Sequence, residues 1–113
     1  SPKIIRLSDV YLIAAEAAVK TGGDATSYIN TLRKNRIEGY TDVASVTLED
    51  ILFERRIELF AENSMAFDYW RNKMSVKNPN VGEVNYDDYR VILPIPQDEI
   101  NLAPDVLIQN PGY

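Results

Sequence analysis

Histidine and cysteine are both missing from the 113 residues. Their absence removes every mechanism that needs an imidazole or a thiol: Ser-His-Asp and Cys-His nucleophiles, zinc sites built on His and Cys, disulfide frameworks and a histidine pH switch. Glycine is scarce, at 5 residues; it forms no phosphate-cradling loop, and Gly22-Gly23 reads as helix punctuation. No apolar run approaches the roughly 18 residues of a transmembrane helix. Positive charge is short too, with 12 Lys and Arg against 17 Asp and Glu. Residues 1–57 carry 8 basic and 8 acidic side chains and residues 58–113 carry 4 and 9, so the deficit lies in the second half. A nucleic-acid partner is therefore disfavoured, because phosphate binding needs a positive field. The basic cluster Arg33, Lys34, Arg36 reads as an ion-paired or solvated helix end.

What is present is ordinary for a globular protein, with 45% hydrophobic and 26% charged residues. Size scaling gives a folded surface of roughly 6,300 Å² against about 18,600 Å² unfolded, enough for one modest core. The chain opens on Ser-Pro without Met or signal peptide, which suggests a trimmed chain or the back end of something longer. On that reading the lack of Cys makes no statement about redox compartment.

Helical periodicity is clear over residues 8–21, where Leu7, Val10, Tyr11, Ala14, Ala15, Ala17 and Ala18 form a broad apolar stripe. Ser8 is the expected N-cap, with Leu7 and Leu12 closing a hydrophobic staple. Gly22-Gly23 ends this helix, and Asp24 caps a second over 25–38 carrying Ala25, Tyr28, Ile29 and Leu32. So short a turn makes an αα-hairpin. Thr47 opens a third helix with Asp50 at the reciprocal capping-box position and a Val46–Ile51 staple. Its pattern runs over 48–73 without Pro or Gly. From 74 to 113 the texture is irregular and Pro-rich: Asn78-Pro79-Asn80 and Gly82 mark turns, Pro94 and Pro96 force extension, and Gln97–Ile100 suits one helical turn. Such a tail needs a surface to lie on.

Glu54, Glu58 and Glu62 repeat at i, i+4 and i+8, and paired carboxylates are the tools of glycoside hydrolysis. A structural charge network is the better reading, because Arg55 sits three residues before Glu58 and Arg71 three after Asp68, both at ion-pairing separation. Glu16 lies in the alanine-rich stretch and needs a cation, expected from Arg33 or Arg55. Phe67 and Trp70, at i and i+3, read as core. Tyr86 and Tyr89, flanking Asp87-Asp88 in a loop, are the accessible candidates for stacking on a sugar. The Asp87-Asp88 pair lacks the spaced ligands of a calcium loop, and neither a metal nor a cofactor is implied.

Arg6-Leu7-Ser8-Asp9-Val10-Tyr11-Leu12-Ile13-Ala14-Ala15-Glu16-Ala17, Tyr28-Ile29-Asn30-Thr31-Leu32-Arg33 and Glu54-Arg55-Arg56-Ile57-Glu58-Leu59 resemble the C-terminal region of SusD/RagB proteins. Asp68 and Arg71 continue the likeness. Leu93-Pro94-Ile95-Pro96-Gln97-Asp98-Glu99-Ile100 and the closing Gln109-Asn110-Pro111-Gly112-Tyr113 are its most specific part. The chain departs from the family pattern at Asn63, where Gly is common, at Met65, where Arg is usual, and at Ala103 and Asp105, where Asn is expected.

The resemblance implies a mainly α fold: a tetratricopeptide-like hairpin, a long third helix and the Pro-rich tail. It implies a non-enzymatic, glycan- or nutrient-binding outer-membrane lipoprotein at the cell surface. Its partner would be a TonB-dependent SusC/RagA-type transporter, and its only membrane attachment an upstream lipid anchor. This segment would mainly scaffold, with Glu16, Arg33, Arg55, Glu58, Asp68 and Arg71 as polar ties and the tail strapped across the helices. The competing reading is a free-standing helical module that binds a protein partner.

Overall fold

The structure, a computed structural model, describes residues 5–62 and 65–113. It divides into two units, Ser1–Met65 and Ala66–Tyr113.

In the first unit, α1 (Leu7–Thr21) and α2 (Ala25–Lys34) form the expected hairpin. Gly22 adopts φ 76° with open space around its α-carbon, so backbone conformation alone selects glycine there. Asp24 caps α2 by accepting the Ser27 N–H at 3.1 Å. The N-cap of α1 is Arg6, which offers no side-chain cap. Ser8 is instead a buried first-turn residue whose hydroxyl hydrogen-bonds Glu58, and Leu7 is 71% exposed, so the expected Ser8 cap and Leu7–Leu12 staple do not form. A tertiary partner has taken the hydroxyl that a cap would have used.

Helix α2 stops at Lys34, four residues short of the expected 38. Asn35 and Arg36 close tighter turns onto Leu32 and Arg33 carbonyls, while the Asn35 amide donates back to Thr31. Beyond it Asn30 pins the connecting loop, donating to the Val43 carbonyl (3.0 Å) and accepting from Val43 N–H (3.1 Å) and Tyr40 Oη (2.8 Å). Helix α3 (Leu48–Glu58) opens on the full Thr47/Asp50 capping box. The core joins Leu12 and Ala15 of α1, Ala25, Ile29 and Leu32 of α2 and Ile51 of α3, with Ala18, Val19 and Val46 packed against it.

The expected single helix over 48–73 is two. Helix α3 ends at Glu58, Ala61 turns the chain with a left-handed φ of 65°, and α4 (Met65–Arg71) begins afresh. Of the apolar positions that would have carried the stripe onward, Leu59 is buried, but Phe60 and Phe67 face solvent. Periodicity without burial cannot hold a helix through a residue that reverses the backbone. Asn63 lies outside the described residues.

In the second unit, the stretch expected to be irregular holds an antiparallel hairpin, β1 (Val76–Asn78) with β2 (Gly82–Val84), in the register Val76↔Val84. A 3₁₀ turn (Tyr89–Val91) and α5 (Gln97–Leu102) follow. Three-residue strands are too short to show alternation. Phe67 and Trp70 stack edge-to-face at 5.8 Å, and Trp70 Nε1 donates to the Val84 carbonyl at 3.2 Å. Phe67 is therefore a surface ring supporting Trp70 and not the core residue expected. Among the described residues no helix is long and apolar enough to cross a membrane.

Candidate functional site

Two side-chain constellations could carry function: the carboxylate row of α3 and the tyrosine-rich tail.

Glu54 and Glu58 lie one turn apart on α3, paired with Arg33 in the last turn of α2 and Arg36 just beyond it. Arg33 Nε donates to Glu54 at 2.9 Å, and Arg36 grips Glu58 with two bonds of 3.0 and 2.7 Å. Lys34 completes the cluster on Asp42 at 2.7 Å, so all three cations are paired, and none forms a phosphate patch. Arg6 reaches the third carboxylate, Glu62, and also donates to the Glu58 backbone carbonyl at 2.9 Å. Every acid of the row thus carries a guanidinium from another element. Arg36 holds the Glu58 carboxyl below its ordinary range despite burial, with the Ser8 hydroxyl and the charges of Arg36 and Arg6 adding to it. A general acid needs the opposite shift. These acids are braced, not poised.

The expected ties are reordered in detail. Arg55, buried, donates to Asp9 at 3.0 Å and so ties α3 to α1, while the Glu58 expected to receive it is held by Arg36. Glu16 is buried as anticipated, and Lys20, four residues on, sits 2.9 Å from it, an in-helix partner that the sequence reading did not consider; Arg33 goes to Glu54. Asp68 and Arg71 pair as expected, at 2.8 Å within α4. Sequence spacing found the pair confined to one short helix. It did not point to Lys20 beside Glu16 or to Arg36 on Glu58, because a charge pattern along the sequence does not say which neighbour faces it. Arg6 and Arg36 were not among the expected ties, and Arg36 was visible only as part of the basic cluster.

Of the tail candidates, Tyr86 and Tyr89 are both about half exposed. The ring of Tyr89 is packed edge-to-face with Tyr113 at 5.2 Å. Gly112, with φ 96°, lies so close beneath it that a β-carbon there would fall 2.4 Å from Tyr89 Cδ2. Tyr89 is therefore an anchor for the C-terminus first. Beside it Asp88 accepts from Arg90 Nε (2.8 Å), Nη2 (2.6 Å) and backbone N–H (2.9 Å), and these bonds bring its carboxyl down to about 2. Gln109, unforeseen as a functional position, accepts the Ile95 N–H at 2.8 Å and donates to the Ile95 carbonyl at 2.9 Å, and Asn110 donates to the Leu93 carbonyl at 2.7 Å. The signal was available in Pro94-Ile95-Pro96: neither proline offers an N–H, so the backbone groups of Ile95 need a side-chain partner. Among the described residues no group of three acids could hold a metal ion. The hollows are shallow; one of about 240 Å³ between α1 and α2 is lined by Leu7, Ser8, Tyr11, Thr31, Leu32, Asn35 and Arg36.

Comparison with known proteins agrees with this architecture. The SusD family model matches residues 2–113. The chain is 34% identical to the starch-binding protein SusD of Bacteroides thetaiotaomicron, across 97% of this chain and 21% of that protein. It is also 34% identical to the SusD-like protein P2 of Formosa agariphila, across 96% and 25%. Among solved structures, a SusD superfamily protein of B. thetaiotaomicron superposes with a TM-score of 0.83 at 38% identity, covering 96% of this chain and 27% of that one. Another, from Bacteroides vulgatus, gives 0.82 at 39%, covering 97% and 27%. The chain thus spans a fifth to a quarter of the length of the curated relatives it matches, and it shares their superfamily's tetratricopeptide-like helical fold. A helical hairpin, a tail closed by Gln109 through Tyr113 and a match over nearly every residue place this chain in the SusD family.

Proposed function

We propose that this chain is the C-terminal scaffold of a non-enzymatic glycan- or nutrient-binding protein at the outer-membrane surface, working with a SusC/RagA-type transporter. The family is one of non-catalytic carbohydrate-binding proteins. The observation that carries the scaffold reading is the pairing of Glu54, Glu58 and Glu62 with Arg33, Arg36 and Arg6. An acid whose oxygens are engaged by a guanidinium is ill-suited to protonate a leaving group or to attack a sugar. The tail supports the same reading, because Gln109 and Asn110 are spent on its own backbone. Tyr86 keeps an accessible ring and is the position we propose for a minor glycan contact; the principal ligand surface lies outside these residues.

A glycan array probed with the full-length gene product and with residues 1–113 tests the assignment. Binding by the full-length protein and none by the segment is the expected result. Hydrolysis or tight glycan binding by the segment alone overturns it.

A further inference from the structure

Helix α3 stops where its own sequence gives no reason to stop. Leu59, Phe60, Ala61 and Glu62 include neither Gly nor Pro, and Leu, Ala and Glu are strong helix formers. Leu59 is buried like Ile51, Leu52 and Arg55, so the inward face of the helix continues past its last residue. Yet Ala61 takes a left-handed φ of 65°, which is unfavourable for a residue with a β-carbon, and the Glu62 N–H bonds the Leu59 carbonyl at 3.1 Å, three residues back. In a continued α-helix that N–H would bond the Glu58 carbonyl, four residues back. Arg6 already holds this acceptor: its Nη2 donates to the Glu58 carbonyl at 2.9 Å and also forms an ion pair with the Glu62 carboxylate. One arm from the start of α1 thus occupies the acceptor and grips the residue that would claim it. The arm is itself under strain, because Arg6 Nε is the one buried side-chain polar atom without a hydrogen-bond partner among the described residues.

We propose that Arg6 is a latch on a two-state helix end. Engaged, it keeps α3 broken after Glu58; released, it lets α3 wind on through Glu62. The left-handed Ala61 and the orphaned Nε both weigh against the broken state, while helix propensity favours the wound one. The charge-assisted bonds of Arg6 decide between them. The arm is also within reach of water, 38% exposed and bordering an open hollow with Leu7, Ser8, Arg36 and Glu58, so it swings out without unpacking the core. The device lies wholly in the first unit and is independent of which ligand the protein takes.

The test is amide hydrogen exchange on the full-length gene product, resolved to single amides, with Arg6→Met, which keeps an unbranched stem and removes every donor. A wound end protects the Glu62 amide, so its exchange slows at least about tenfold relative to the parent protein. A residue that merely ties two helices gives the opposite sign, since its loss loosens the end and speeds exchange. Adding Ala61→Gly, which relieves the left-handed turn, returns the parent rate. Ala61→Val with Arg6 intact places a β-branched residue at a positive φ and also slows exchange at Glu62, and it carries the test should Arg6→Met misfold. Exchange at Glu62 that is unchanged or faster in either folded single variant overturns the proposal. So does a double variant that stays slow, or loss of the fold in both single variants, which makes the broken end a fixed part of the structure and not one of two states.

Discussion

The two units are held by different physics. In the first, three helices bury a shared apolar cluster, with Leu12, Ala15 and Ile51 wholly removed from solvent. In the second, Val84 is the one buried hydrophobic among the described residues, and Ile92, Leu93, Leu102, Val106 and Ile108 all face solvent. What orders the second unit is a set of directed hydrogen bonds: Trp70 to Val84, Arg90 to Asp88, Gln109 to Ile95 and Asn110 to Leu93. Such bonds are worth only about 0.5–1.5 kcal/mol each, and they specify geometry better than they resist unfolding. A core makes a fold cooperative; a clasp gives it shape.

The sharpest way to break this contrast is to remove comparable side chains from each unit. Leu12→Ala empties a fully buried site and should cost about 2–5 kcal/mol in urea unfolding of the first-unit helices. Ile108→Ala, at a position 85% exposed, should leave that transition unmoved. Equal costs at the two sites would show that the second unit hides a core of its own. Next in size is Gly112→Ala, which drives a β-carbon into the Tyr89 ring and strains a φ of 96°. We expect a local loss of about 1–3 kcal/mol, read as faster amide exchange from Leu93 to Tyr113 with the first unit unchanged. Gly22→Ala, equally left-handed but with open space around it, should cost about 1 kcal/mol and should act on the first unit.

What the amino-acid order revealed follows the same division. Local devices were legible because each depends on a few adjacent residues: the glycine that ends α1, the Asp24 cap and the Thr47/Asp50 box all stand where they were expected. The end of α3 was not, because nothing in an unbroken apolar pattern marks Ala61 as left-handed or Phe60 as unpartnered. The hairpin Val76–Asn78 with Gly82–Val84 is shorter than any period that could announce it. The Asp68–Arg71 pair stands at the spacing that suggested it, whereas Arg36 on Glu58 was chosen by the fold and could not be read from spacing. The structural character of the acidic row could be read from sequence, but its wiring could not.

Acid sharpens the contrast with smaller effects. Glu58 is held below its ordinary range in the folded state, so its contribution is fully present above the ordinary carboxylate range and is lost as pH falls through the lowered value. Glu58→Gln should remove that pH dependence and cost about 0.5–1.5 kcal/mol, since Arg36 is half-exposed and its charge is partly screened. The core beneath does not titrate, so the first unit should keep its helical circular dichroism while the pair dissolves.

Asp88 is the smallest effect and the most local. Its carboxyl stands at about 2 because the side chain and then the backbone N–H of Arg90 bond it, and because the pair is partly solvated and confined to one short turn its protonation should barely move global stability. The preference for the folded turn is complete above the ordinary value of 3.8 and disappears as pH falls through about 2. Carbon-detected NMR of the Asp88 carboxyl should show that late titration, and Arg90→Gln should return it towards the ordinary range, with shift changes confined to residues near Tyr89. An Asp88 that titrates normally in the native protein would mean that the turn beside Tyr89 is not held by this pair. The tail would then lose one of the bonds that stand in for a core.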